Sequence, residues 1–247
     1  MRVALIAGLL LCLSPVTAGA QEGLGQLDFI GKRENRPVPS ANLAHPGGAR
    51  ATCFSLPGNS CNRDDCGSDR ERAQLLQNKP DNREGEAYRY SVSFFLPSDF
   101  VDVSPTNLML WEVKPKGSGK PSASFGIIDG HLQFDLSNPT VTQADKMNPE
   151  KPLIIKRLGM IPRGRWTEIV IDAKWSRGED GILRVYHNGR SVIDHRGPNI
   201  DSNSTRQQVM YGLYRSFVSR YLKSTGRSQM PLQQACFANV LRQRIRM

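Results

Sequence analysis

The feature that most constrains the fold of this 247-residue chain is the recurrence of short alternating segments between Gly, Pro, Asn and Asp turns, with almost no 3.6-residue periodicity. It is clearest in "GILRVYHNGRSVIDHRGPN", Gly181 to Asn199, where two alternating runs flank Asn188-Gly189. That dipeptide supplies the positive φ angles of a two-residue type I′ turn, so the stretch reads as a β-hairpin. A second alternation, "EAYRYSVSFFLPSDF", places Tyr88, Tyr90, Val92 and Phe94 on one side of a strand and Arg89, Ser91, Ser93 and Phe95 on the other. Further strands are expected at "NLMLWEVKP", "SFGIID", "HLQFDLS", "PLIIKRL", "RWTEIVIDAKWS", "QVMYGLYR" and "QACFANVLRQRIR". Many short strands and little helix predict an all-β, antiparallel two-sheet sandwich. Helix is expected for one or two turns only, near Arg72 to Gln77.

The first 20 residues, "MRVALIAGLLLCLSPVTAGA", carry one positive charge, an apolar run too short to span a bilayer and a small-x-small ending. They read as a secretory signal peptide cleaved before Gln21, with Cys12 part of the leader. Residues 21–50, rich in Gly, Pro, Asn and Arg, read as an extended lead-in, and residues 51–247 as a single β-sandwich domain. The expected location is secreted or periplasmic, without membrane insertion, and the expected state is a monomer.

Four cysteines remain after processing, Cys53, Cys61, Cys66 and Cys236. In an oxidising compartment an even count without zinc spacing favours two disulfides. One bridge is expected to tie Cys236 to the N-terminal cluster, its partner left open, and "CFSLPGNSCNRDDC" reads as a disulfide-pinned loop. The histidines, His45, His131, His187 and His195, show no ligand spacing. No motif implies a cofactor; a structural calcium is compatible with such a fold, with no ligands to assign it. The formal charge of +10, or +9 once Arg2 leaves with the leader, suits an anionic glycan as partner. Nucleic acid is not expected, since the basic residues are scattered and the chain is exported.

The ordered set "RER", "GEAYRYSVSFFLPSDF", "GRWTEIVIDAKWSRGEDGILRVYHNGRSVIDHRGPN" and "VMYGLYRS" resembles the heparin lyase I-like polysaccharide lyase family and is similar also to glucuronan lyases. The resemblance runs over residues 68 to 240 and implies that the domain over residues 51–247 is a concanavalin A-like jelly roll. It also implies β-elimination on a uronic-acid-containing polymer, in which one group neutralises the carboxylate, a base takes the C5 proton and an acid protonates the departing O4 oxygen.

Carried over residue by residue, the resemblance makes Tyr214 of "YGLYRS" the proton-transfer residue, on a strand face expected to hold Met210, Gly212 and Tyr214. Arg70 and Arg72 become carboxylate ligands oriented by Glu71, and Lys114, Lys116 and Arg215 further groove cations. Trp111 and Glu112 stand where the family has a Gln-x-His motif, Met210 where it often has Lys, and Ala238 where an Asp is common. Losing the histidine leaves Tyr214 as both base and acid, leaves Glu112 or a distant His as its replacement, or leaves a carbohydrate-binding module that no longer cleaves. A third alternative, glycoside hydrolysis, would need a carboxyl pair such as Glu168 with Asp172.

Overall fold

The structure, a computed structural model, describes residues 22–62, 64–117, 119–139, 152–200 and 205–247. The expected signal peptide lies outside them. In chain order the strands are β1 (Glu22–Gly23), β2 (Gln26–Gly31), β3 (Val38–Ala44), β4 (Arg50–Leu56), β5 (Arg70–Lys79), β6 (Asn82–Arg83), β7 (Ala87–Phe95) and β8 (Asn107–Pro115). They continue with β9 (Ala123–Ile128), β10 (His131–Leu136), β11 (Ile154–Met160), β12 (Trp166–Lys174), β13 (Ile182–His187), β14 (Arg190–Arg196), β15 (Arg206–Ser216) and β16 (Gln233–Ile245). Among the described residues two α-helices interrupt them, α1 (Asp64–Gly67) and α2 (Val218–Thr225), with a 3-10 turn at Arg33–Asn35.

All strand pairs within the two sheets are antiparallel. One sheet runs β14-β13-β12-β7-β16-β4-β3 with β1 beside β16; the other runs β11-β10-β9-β8-β15-β5-β2 with β6 beside β15. Period-two alternation gives each sheet one apolar face, and the two apolar faces meet. Tyr88, Tyr90, Val92 and Phe94 of β7 are buried in the shared core with Phe125, Phe134, Trp111 and Phe237. This is the β-sandwich the alternation predicts.

Over residues 22–50 the segment read as a lead-in joins the sandwich: β2 pairs with β5 and β3 with β4, so it supplies an edge strand to each sheet, with the 3-10 turn at Arg33–Asn35 between them. The helix expected near Arg72 to Gln77 is the middle of β5, hydrogen-bonded to β2 on one side and β15 on the other. Pairing on both edges overrides the local helical preference of "RAQLLQ". The longer helix is α2, where Val218 and Tyr221 are buried and Gly226, at φ +67°, ends it.

The hairpin forms as read, with Asn188 at φ +47° and Gly189 at φ +76°. The Gly-Pro-Asn that follows it is structural. Buried Asn199 accepts a hydrogen bond from the Ser176 N–H (2.9 Å) and donates to the carbonyls of Lys174 (3.0 Å) and Ile182 (3.1 Å). It thereby locks the end of β12 to the start of β13. Disulfides join Cys53 to Cys236, stapling β4 to β16, and Cys61 to Cys66, closing the loop that carries α1.

Candidate active site

Directly opposed residues of an antiparallel pair share a face. On the second sheet, Tyr214 lies opposite Arg72, and Met210 lies opposite both Leu76 and Glu112. Gln208 lies opposite Lys114, and Ser124 opposite both Glu112 and Asp135. These residues form the outer face, the side away from the core. Between Tyr211 and Tyr214 the register against β8 slips, which bends the strand and shifts where the tyrosine emerges. Gly212 sits in that bulge at φ +130°, and a Cβ there would stand 2.4 Å from the Ala73 carbonyl and 2.8 Å from the Phe54 ring.

The Arg72 guanidinium covers the Tyr214 ring, 4.6 Å from its centroid. It is fixed there by a two-pronged ion pair, Nε to Asp65 Oδ2 at 2.7 Å and Nη2 to Asp65 Oδ1 at 2.5 Å. Beside them Gln74 donates to Glu112 Oε2 at 3.1 Å, both side chains being buried, while Gln74 Oε1 has no partner among the described residues. Arg72, Lys114 and Tyr214 are part-exposed and Arg70 is exposed, so these are the groups a ligand on this face can reach.

Burial pushes the Tyr214 phenol above its ordinary value; Arg70 and Arg72 oppose that shift, and Glu112 and Asp65 add to it. Burial also raises the Glu112 carboxyl against the Gln74 hydrogen bond and the charges of Arg72, Lys114 and Arg70. The Lys114 ammonium is lowered by burial. The face therefore combines reachable cations with a carboxyl that burial biases toward its uncharged form.

Not every residue expected here arrives. Trp111 is 0% exposed on the core side of β8, stacked on Phe125 at 5.7 Å, because adjacent strand residues face opposite ways and Glu112 takes the outer side. Arg215, also 0% exposed, points inward to Glu71 (2.8 Å), Gln233 (2.9 Å) and the carbonyls of Leu56 and Pro231. Glu71 is thus not the residue that orients Arg72: its other oxygen accepts from the Ser60 N–H at 3.0 Å, anchoring the disulfide loop. A buried, fully bonded pair has no free edge for substrate. Lys116 pairs with Asp81 at 2.8 Å instead. Met210 and Tyr214 share the outer face as expected, whereas Gly212 turns its vacant side inward.

The pair weighed for hydrolysis is on the other sheet, where Asp172 is held by Arg89 at 2.6 and 2.7 Å. Sequence reasoning misses Asp65 and Gln74. Asp65 is signalled only by its place inside the short Cys61–Cys66 loop; Gln74 is hidden by the helical look of its strand. Among the described residues no group of three or more His, Cys, Asp or Glu is placed to hold a metal ion.

Comparison with known proteins agrees with this fold. The family model described as "Polysaccharide lyase" matches residues 47–232. No curated protein matches the chain. Among solved structures, the chain is similar to an endo-β-1,4-glucuronan lyase from the fungus Trichoderma reesei, at 18% identity and a TM-score of 0.64, over 90% of this chain and 92% of that one. It is also similar to alginate lyase Aly36B (14% identity, TM-score 0.57, 93% and 95% covered) and to alginate lyase AlgAT5 of polysaccharide lyase family 7 (14%, 0.56, 85% and 85%). At such identities the likeness shows a shared fold.

Proposed function

The chain belongs to the polysaccharide lyase family, a family of carbon–oxygen lyases, and from that premise we propose that it cleaves a uronic-acid-containing polysaccharide by β-elimination, with Tyr214 as base and acid. The observation that carries this reading is the Tyr214–Arg72 stack: a tyrosine on the outer face of the sheet with a fixed cation against its ring. The polymer lies across that face, its carboxylates met by Arg70 and Lys114 and by the edge of Arg72 that Asp65 leaves free.

The Tyr214 phenolate removes the C5 proton, the electron pair forms the C4–C5 double bond, the C4–O4 bond breaks, and the phenol returns the proton to O4. Negative charge gathers on the uronate carboxylate in the transition state, where the cations stabilise it. Burial raises the Glu112 carboxyl, and Arg72, Lys114 and Arg70 offset its charge beside the substrate. The expected setting is outside the cytoplasm, which the two disulfides support.

Tyr214→Phe removes the proton carrier and keeps the ring under Arg72. Turnover on the responsive polyuronate is expected to fall by about a hundredfold to ten-thousandfold, with the melting temperature unchanged. A variant that still cleaves at the parent rate removes Tyr214 from the reaction. Saturable polyuronate binding by a parent protein that never shortens the chain would instead favour the binding-module reading.

A further inference from the structure

On the reading that Tyr214 moves the proton, we infer that Asp65, carried in the loop closed by Cys61–Cys66, is a positioning residue that fixes Arg72 across the Tyr214 ring. Asp65 lies outside the sheet, so its grip depends on how the loop is held. Its N–H donates to the Asn62 carbonyl (2.8 Å), its own carbonyl accepts from Ser68 (3.1 Å), and the disulfide closes the turn around it. On the near side Ser60 is tied to β5 through Glu71, the residue next to Arg72, and its hydroxyl accepts from Asn35 at 3.0 Å. The loop is therefore registered to the strand that carries Arg72.

The carboxylate takes the Nε–Nη2 edge of Arg72, which fixes the plane of the guanidinium and lays its face on the ring. An arginine without that partner has several rotamers that leave the ring, and its charge would be lost to solvent. The charged groups acting on Tyr214 come from three elements: Arg70 and Arg72 from β5, Glu112 from β8 and Asp65 from α1. The two arginines favour the phenolate and the two acids oppose it. Asp65 alone does both, directly as a negative charge and indirectly by holding Arg72 in place. These two roles give opposite signs. Losing a mere opposing charge eases Tyr214 ionisation; losing the clamp makes it harder.

The test is a spectroscopic titration of the Tyr214 phenolate in the mature chain, taken as the absorbance difference from Tyr214→Phe. Asp65→Asn and Arg72→Gln are each expected to move the titration to higher pH by about one unit, and the double variant no further than Arg72→Gln alone. On the rising limb of the pH–rate profile the same variants lose about tenfold for each pH unit by which the titration moves, and recover at high pH. Replacing Cys61 and Cys66 by Ser reproduces the displacement with Cys53–Cys236 intact. Asp65→Glu, which keeps the charge on a longer arm, gives a second reading if Asp65→Asn lowers the folded fraction. A titration that stays in place or moves to lower pH in Asp65→Asn overturns the inference. Full turnover by Tyr214→Phe removes the catalytic premise alone, because the titration still reports whether Asp65 positions Arg72.

Discussion

At the scale of single residues, the site turns on which way each side chain faces. Glu112 shows how much follows from that. Its outward-facing but buried carboxyl is raised by desolvation, so the folded protein holds that proton more tightly than the unfolded chain does. The sign follows directly: its contribution to stability is full below the ordinary carboxylate range and is lost as pH rises through the raised value. Glu112→Gln keeps the shape without the charge. Its melting temperature should therefore gain on the parent as pH rises from acid to mildly alkaline, which thermal scans across pH would measure. A gap that stays constant with pH contradicts the assignment. The tyrosine and its basic partners are legible from "RER" and "YGLYRS"; the direction of Trp111 and Arg215 is not. Two bulges, between Met109 and Trp111 and between Tyr211 and Tyr214, interrupt simple alternation beside them, and bulges are set by the partner strand.

At the scale of elements, β15 is the carrier of the site and Gly212 is its most demanding position. Gly212→Ala places a Cβ 2.4 Å from a backbone carbonyl at a φ that L-residues rarely adopt. The expected cost is about 2–4 kcal/mol of stability, measured by denaturant midpoint, with turnover falling further than stability because Tyr214 is displaced. An alanine variant with parental stability and activity would show that the bulge is not needed. The hairpin, the long strands and the Cys236 tie are readable because alternation, an Asn-Gly turn and an even cysteine count are local signals. Strand β5 is not, since "RAQLLQ" is a strand only through its two neighbours. Helix α2 escapes the reading although Val218, Tyr221 and Leu222 recur at helical spacing before Gly226.

At the scale of the whole molecule, the chain is a positively charged sandwich with reachable cations on one outer face, and under the proposed function those cations meet a polyanion. Screening then acts on binding more than on the bond-breaking step. Raising ionic strength from low to physiological should increase KM several-fold while kcat changes little, and Lys114→Ala should flatten that dependence. Salt-independent KM contradicts an electrostatic hold on the polymer. The measurement that bears most directly on the proposed reaction is the absorbance of the unsaturated uronate, followed with the purified mature protein on polyuronates and acidic exopolysaccharides and paired with product masses. Elimination gives a rising signal on at least one polymer, with fragments whose masses sum to the parent without added water. Fragments that each incorporate water, or a flat signal on a polymer the protein binds, would contradict it.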